Sequence, residues 1–308
     1  MGYIYSFFSY NLTMKSKIMF YYNLGEIELT KQDDMYFFRY QGDCYSFEKI
    51  KNLMYIKFLL KILNNIQYIK AYKLVLNIYQ DEFTNIDGTW YALFLRNYTQ
   101  TDLFHEILQP ILIPNNISSK IDVELWGFLW ERKIDYYEYQ ISHLTNIYPL
   151  IEESFYYYIG MAENAVSYLK YNFSPSISLP LYLCHHRIVP DEYFHPLNMV
   201  VDYYARDVAE YIKYLFFSNN YYNFPFFSFF QTLHFSYNDF VLLYARLLFP
   251  TFYFDVYDDI INNKLRETNI KNIIMRVDEY NDFLQYLFQL IEKIAKIPEI
   301  LWLKKEML

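Results

Sequence analysis

The spacing of apolar and polar residues changes once along the chain, near residue 100. Between residues 25 and 47, apolar and polar residues alternate, and turns at Gln32–Asp34 and Gly42–Asp43 divide the run, which predicts short strands. Two further strands, Lys73–Tyr79 and Trp90–Leu95, are joined through Asp87-Gly88, a pair typical of a β-hairpin turn. The stretch between these strand pairs predicts a helix, because six apolar residues fall near helical spacing: Ile50, Leu53, Met54, Phe58, Ile62 and Ile66.

From Asp102 onward most segments show a helical period. Residues 156–171 and 275–297 predict two helices, the second ended by Pro298. The chain therefore predicts an α+β fold, with a small mixed lobe over residues 1–97, ending at Asn97, and a mainly helical lobe over residues 98–308. Residues 123–144 predict another helix with one apolar face, because six apolar residues recur every three or four positions: Trp126, Trp130, Ile134, Tyr137, Ile141 and Leu144.

Composition narrows the class of protein. Hydrophobic residues make up 54% of the chain, which is enough for a substantial core. The net charge of −8 argues against a nucleic-acid partner, because phosphate binding needs clustered Lys and Arg, and no basic stripe is evident. The 37 Tyr and 28 Phe against 6 Gly are typical of an A/T-rich coding bias. Aromatic runs such as Phe224–Phe230 are therefore expected mainly in the core, with a contact surface as the alternative.

Cysteine usage and hydropathy indicate the compartment. Cys44 and Cys184 lie far apart without a CxxC partner, which is neither a disulfide framework nor a zinc pattern and fits a reducing cytoplasm. A membrane span needs ~20 apolar residues. The closest run, residues 240–257, is interrupted by Arg246, Pro250 and Asp255. We therefore expect a cytoplasmic protein without a membrane span.

Candidate catalytic residues concentrate between residues 183 and 217. A glycine loop that cradles phosphate is excluded, because no two of the six glycines are closer than 17 residues. A metal site from His186, His195 and Asp202 has no fixed-spacing motif behind it, and loop histidines hydrogen-bonded to the backbone are the alternative. Cys184 and His185 are neighbours whose side chains diverge on a strand, which disfavours a thiol nucleophile with its base.

Several segments carry a family resemblance: WERKIDYYE at 130–138, YYYIGMAENAVSYL at 156–169, LCHHRI at 183–188, VVDYYARDVAEYIKYLF at 200–216 and YARLLFPTFYFD at 244–255. They resemble the protein-kinase-like fold, in particular its aminoglycoside/choline kinase branch. Within that branch, they are similar to the spore-coat-associated kinase-like proteins of the CotS and YutH type, with YutH closer. The motifs cover roughly residues 125–260, whereas the resemblance of the amino-terminal lobe rests on its pattern of elements.

The resemblance implies a role for each residue of the central stretch. His185 takes the place of the histidine in the HGD catalytic loop of these kinases, His186 that of its glycine and Arg187 that of its aspartate. Asp202 takes the place of the metal-binding aspartate at the end of a strand. Asp207 matches the acidic residue that starts the next helix and braces the catalytic loop, and is expected to accept backbone N–H bonds there.

The chemistry of phosphoryl transfer tests these assignments, because it needs a carboxylate base and two ligands for magnesium. Arg187 cannot accept a proton. Glu192 stands five residues on, where kinases have a magnesium-binding asparagine, and Asn198 lies nearer the strand in another register. Arg206 is expected to pair with a carboxylate of the large lobe. On the nucleotide side, three lysines are unconvincing stand-ins for the kinase lysine: Lys31, Lys49 and Lys51.

The resemblance therefore implies a catalytically degenerate, kinase-like protein of the spore coat. Its expected role is that of a binding or scaffold component that associates with other spore coat proteins, in the mother-cell cytoplasm and the coat, without a cofactor. The alternative is an active, ATP-dependent small-molecule phosphotransferase with rearranged residues. In that case, Asp202 and Glu192 hold Mg-ATP and another carboxylate serves as base.

Overall fold

The computed structural model describes residues 13–32, 34–68, 70–96, 101–119, 126–144, 147–174 and 179–303. The chain divides into two compact units. The first unit contains residues 1–101 together with Asp191–Met199, and the second contains Asp102–Pro190 and Val200–Leu308. The predicted lobe boundary at Asn97 lies outside the described residues.

The first unit is built on an antiparallel sheet in which the strand order is β1-β2-β3-β6-β4, with β5 also paired to β6. The strands are β1 Thr30–Gln32, β2 Met35–Tyr40, β3 Asp43–Lys49, β4 Lys73–Val75, β5 Thr84–Ile86 and β6 Thr89–Arg96. Two helices accompany the sheet, α1 Met14–Tyr21 and α2 Leu53–Asn65. One face of the sheet packs on α1 through seven buried residues: Ile18, Tyr22, Ile27, Phe38, Phe47, Ile86 and Leu93.

The hairpin turns follow from local residue types. Asp87 and Gly88 both have positive φ, 51° and 83°, as a two-residue hairpin turn requires, so the predicted turn is confirmed. The predicted strand Lys73–Tyr79 is wrong in its length and its pairing across the turn. The observed strand β4 ends at Val75, and β5 is the hairpin partner of β6. The cause is Asn77, a buried residue whose side-chain oxygen accepts the N–H groups of Tyr79 and Asp81 and turns the chain.

Helix α2 begins later than its apolar pattern predicted. Ile50 N–H donates to Trp90 O beside β3, and Asn52 caps the helix by accepting the Tyr55 N–H at 3.0 Å. With this start, Met54 is 83% exposed instead of buried. The buried face consists of Ile56, Leu59, Ile62 and Leu63.

The second unit is mainly helical and contains the rest of the described elements. Its strands β7 Ile111–Leu112, β8 Tyr182–His185 and β9 Met199–Asp202 form a sheet in the order β7-β8-β9, although Met199 itself is grouped with the first unit. Its helices are α3 Leu103–Ile107, α4 Asn115–Ser118, α5 Trp126–Ile141, α6 Pro149–Asn172, α7 Ala205–Phe217, α8 Phe226–Thr232, α9 Tyr237–Leu248, α10 Thr251–Ile261, α11 Lys271–Ile274 and α12 Val277–Ala295.

Two predictions for the large lobe have different outcomes. Helix α5 buries Trp126, Trp130, Ile134 and Tyr137, as its apolar stripe predicted. The aromatic run 224–230 lies mainly in the core, because α8 turns its phenylalanines inward and only Phe227 among them is substantially exposed, at 38%. The run belongs to the core of the second unit.

One apolar stretch among the described residues, Tyr237–Ile261, is long enough to cross a membrane. It forms two helices, α9 and α10, which are separated at Phe249 and Pro250. Most of it lies inside the protein, since 83% of its most apolar part is buried. Such burial is typical of the core helices of a folded domain.

Candidate functional site

The loop that follows β8 is held at its start by Asp207. The Asp207 carboxylate accepts the His185 main-chain N–H and the proton of His185 Nδ1, both at 2.7 Å, and both residues are buried. Asp207 accepts no N–H of its own helix among the described contacts, and α7 begins without a side-chain cap. Asp207 instead fixes a residue 22 positions earlier in the chain.

Arg206 connects the same loop to the end of β9. Its Nε donates to His185 O at 2.8 Å, and its Nη1 donates to Asp202 Oδ2 at 2.7 Å. Asp202 is thus the carboxylate partner of Arg206. Its other oxygen, Oδ1, accepts the Trp126 indole N–H at 3.0 Å and the Tyr203 main-chain N–H at 2.7 Å. The buried Asp202 carboxylate is therefore occupied by protein donors on both oxygens.

Arg187 forms the outer part of the loop. Its Nε and Nη2 donate to the two carboxylate oxygens of Asp255 on α10, the second at 2.6 Å, and its Nη1 donates to His186 O at 2.6 Å. His186 itself is exposed. A two-point contact between guanidinium and carboxylate is strong and directional. It locks Arg187 as a structural cation.

Three more charged side chains lie buried beside Arg187. Glu210 Oε1 accepts Arg246 Nε at 3.0 Å and Nη2 at 2.9 Å, and lies 3.8 Å from Arg187 Nη1. Burial raises the pKa of Glu210, but the positive charges of Arg187 and Arg246 outweigh it and lower the pKa to about 2. Lys213 Nζ donates to two main-chain oxygens and to Thr251 Oγ1, and burial lowers its pKa to about 7. A cavity of about 360 Å³ adjoins these groups.

Glu192 belongs to the first unit, where the segment Asp191–Met199 packs. Its carboxylate forms an ion pair with the buried Arg96 of β6. Arg96 also donates to Asp191 O at 3.3 Å, and the Tyr72 hydroxyl donates to the same oxygen. Glu192 is thus engaged by an arginine, as Asp202 is in the second unit.

His195 anchors this segment to the sheet of the first unit. Its Nδ1 accepts the Leu197 N–H at 3.0 Å, so the proton sits on Nε2, which donates to Glu48 Oε1 at 2.7 Å. The imidazole is 1% exposed, and its ring centre lies 4.8 Å from that of Phe94 and 5.2 Å from that of Tyr72. Burial raises the pKa of Glu48, but the interactions with His195, Ser46 and Arg96 together outweigh it and the pKa is lowered.

The chain matches a known protein family over most of its length. Residues 15–287 match the family model described as "Spore coat putative kinase YutH". The chain belongs to the spore coat YutH family. A curated relative, the endospore coat-associated protein YutH of Bacillus subtilis (strain 168), is 26% identical over 220 residues. The match covers 62% of this chain and 65% of that protein, slightly less than two thirds of its length.

Solved structures show which fold this YutH family member has. An aminoglycoside phosphotransferase from Alicyclobacillus acidocaldarius superposes with a TM-score of 0.57 and 11% identity, covering 89% of this chain and 95% of the other. A spectinomycin phosphotransferase in complex with ADP and spectinomycin gives 0.58 and 13%, covering 90% and 97%. The predicted fold class is confirmed: α+β, protein-kinase-like of the aminoglycoside phosphotransferase type, with a β-rich small lobe and a helical large lobe.

Protein kinases place a phosphate-binding lysine on the third strand of the small lobe. In this YutH family member, the register of the sheet puts Cys44, Ser46 and Glu48 of β3 on the same side as Phe94 and His195. None of the three is a lysine. The three sequence candidates do not occupy this side of β3: Lys49 ends β3 with the opposite orientation, Lys31 and Lys51 lie outside the strand, and all three are exposed at the surface.

Metal and thiol chemistry have little support in the described part of the chain. It contains no group of three or more His, Cys, Asp or Glu arranged to hold a metal ion. The sequence combination of His186, His195 and Asp202 fails in particular, because His195 bonds to Glu48 and Asp202 to Arg206. Burial raises the pKa of the Cys184 thiol well above its ordinary value, which disfavours the nucleophilic thiolate.

The brace formed by Asp207 leads to a stability prediction. Asp207→Ala leaves the buried His185 N–H and Nδ1 without their acceptor, so we expect the free energy of unfolding to fall by about 2–3 kcal/mol. Urea denaturation of the full chain measures it. The control is Asp135→Ala, at an exposed position of α5. An unchanged free energy of unfolding for Asp207→Ala would show that the loop does not depend on this carboxylate.

Proposed function

We propose that this chain is a spore coat component that keeps a kinase-like fold without phosphoryl transfer and acts by binding other coat proteins. The observation that carries the proposal is Arg187, at the position that the family resemblance gives to the catalytic base. Its guanidinium is held by Asp255 and cannot accept a proton from an acceptor hydroxyl. Loss of a general base costs roughly 10²–10⁴ in rate.

The magnesium ligands support the same proposal. Asp202 and Glu192 are the carboxylates that the alternative function needs, yet each forms an ion pair with an arginine, Arg206 and Arg96 respectively. To bind Mg²⁺, each must give up that arginine, which is left partly buried without a counter-charge. We therefore expect no Mg-ATP cofactor.

The proposed setting comes from the family. The Bacillus subtilis relative is named an endospore coat-associated protein, and this chain shares its family. We place the chain in the mother-cell cytoplasm during assembly and in the coat afterwards, with other coat proteins as partners. The two cysteines, one half-buried and one buried and neither in a disulfide, fit assembly in a reducing compartment.

Nucleotide binding tests the proposal directly. A ligand present at 100 times its Kd stabilises a protein by about 2.7 kcal/mol. We expect ATP with Mg²⁺ to leave the melting temperature of the full chain unchanged, and ATP turnover to stay at the level of heat-inactivated protein. A spectinomycin phosphotransferase, assayed in parallel, is the positive control. A clear thermal shift together with phosphate transfer would favour the active phosphotransferase instead.

A further inference from the structure

The net charge of −8 conceals one strongly basic stretch. Residues 49–80 contain neither Asp nor Glu, although the chain as a whole has 35 acidic residues against 27 basic ones. The overall charge balance does not show this local excess of positive charge. The stretch contains six lysines: Lys49, Lys51, Lys57, Lys61, Lys70 and Lys73.

The basic stretch forms both walls of a groove in the first unit. Helix α2 supplies Leu60 and Leu63, and the other wall contains Leu74 of β4 and Leu76, which follows the strand. The groove has a volume of about 810 Å³, and Leu76 is 46% exposed in it. Of these leucines, Leu76 is exposed, Leu60 and Leu74 are partly buried and Leu63 is buried, so the groove has an apolar floor and an exposed rim that can bind another molecule.

Strand β4 stands at the end of the sheet order and pairs with β6 alone among the described strands. Immediately before it, the Tyr72 N–H donates to Phe194 O at 3.0 Å, so the chain beside β4 already bonds to a main-chain oxygen outside the sheet. An open strand edge offers N–H and C=O groups to an incoming strand. A peptide that pairs there gains main-chain hydrogen bonds, and alternate side chains reach the groove.

Three lysines lie in or beside this groove. Lys73 lines it directly, opposed by a single lining acid, Glu82. Lys57 Nζ lies 5.8 Å from the ring centre of Phe83, the residue after Glu82. Lys61 follows Leu60 on the exposed side of α2. A protein that is negative overall thus presents Lys57, Lys61 and Lys73 near the strand edge where another strand can be added.

We propose that this groove binds an extended, acidic segment of another protein, which adds a strand to β4 and inserts alternate apolar side chains between β4 and α2. The acidic residues of the segment face the lysines of the basic stretch. A protein segment is favoured over a nucleic acid because the edge strand β4, which offers main-chain hydrogen bonds to another chain, lies beside the four leucines of the groove, although Tyr68 and Tyr72 line it as well. The inference goes beyond the loss of phosphotransfer and does not depend on it.

Peptide selection on the full chain tests the proposal. A random octapeptide display library is selected against the native chain, and the enriched peptides are then measured against Lys57→Glu/Lys73→Glu. The control is Lys271→Glu/Lys293→Glu, which makes the same charge change at exposed positions of α11 and α12. We expect the enriched peptides to have an excess of Asp and Glu, with apolar residues at alternate positions. We expect them to bind about tenfold more weakly to the groove variant and equally to the control.

Hydrogen exchange locates the bound peptide, and binding of an oligonucleotide or dimerisation of the chain are the two alternatives to be tested. With an enriched peptide bound, we expect amide exchange to slow in residues 73–76 and to remain unchanged in α12. The proposal is overturned if no peptide is enriched, if the enriched peptides lack an acidic excess, or if they bind the groove variant as tightly as the native chain. Tighter binding of a single-stranded oligonucleotide, or a dimer that buries the groove in the absence of peptide, would also overturn it.

Discussion

Replacing Glu210 with alanine is expected to lower the free energy of unfolding by about 3–5 kcal/mol, because removal of one member of a buried ion pair leaves an uncompensated charge. Arg246, which donates twice to Glu210, is itself buried, and Arg187 Nη1 lies 3.8 Å away. The adjacent Lys213 adds a third basic group. Urea denaturation at neutral pH measures the change.

Glu210 is also expected to make the free energy of unfolding depend on pH in the acid range. The pKa of Glu210 is lowered from 4.5 to about 2, since burial, which raises it, is outweighed by the surrounding positive charges. The folded state therefore binds this proton more weakly than the unfolded state does. Its contribution to stability is complete above pH 4.5 and is lost as the pH falls towards about 2. In Glu210→Gln, we expect a flatter dependence of stability on pH across this window.

An exposed carboxylate provides the matched control for both measurements. Glu163 lies on the outer face of α6. We expect Glu163→Ala to change the free energy of unfolding by less than about 0.5 kcal/mol and to leave its pH dependence as in the native chain. If Glu210→Ala and Glu163→Ala lower the free energy of unfolding equally, the buried charges around Glu210 do not stabilise the second unit.

Local features of the fold could be predicted because they depend on neighbouring residues. Asp87-Gly88 specifies its turn through two positive φ angles, and the stripe from Trp126 to Tyr137 specifies the buried face of α5. Helix α2 shows the limit of this reasoning. Its apolar residues are compatible with more than one buried face. The start of the helix, fixed by the cap at Asn52, decides which apolar residues are buried.

The partners in the site could not be predicted, because they are distant in sequence. His195 and Glu48 are 147 residues apart, and Arg187 and Asp255 are 68 apart, so no local pattern joins them. One signal was present in α7, where Asp207, Glu210 and Lys213 recur every third residue in an apolar helix. Charges at helical spacing on a face that must be buried predict partners elsewhere in the core.

Restoring the carboxylate of kinases at position 187 is expected to destabilise the protein by about 1.5–3 kcal/mol, without giving it activity. In Arg187→Asp, Asp255 and the buried Glu210 lose a nearby cation, and a third negative charge is added on the same side of the loop. ATP turnover should stay at background, since Asp202 and Glu192 still pair with arginines. Denaturation and a phosphate-release assay measure the two expectations.

Two further variants decide how that result is to be understood. Arg187→Met removes the cation without adding a carboxylate, so we expect a smaller loss of stability than in Arg187→Asp. The exchange Arg187→Asp/Asp255→Arg restores the ion pair in reverse, and we expect it to recover at least half of the loss, because the residues are in contact and their effects are not additive. A stable Arg187→Asp protein that transfers phosphate would show that one substitution alone separates this chain from an active kinase. Stability without transfer would instead place the loss of function in the engaged magnesium ligands, because the restored base would then be present and still insufficient.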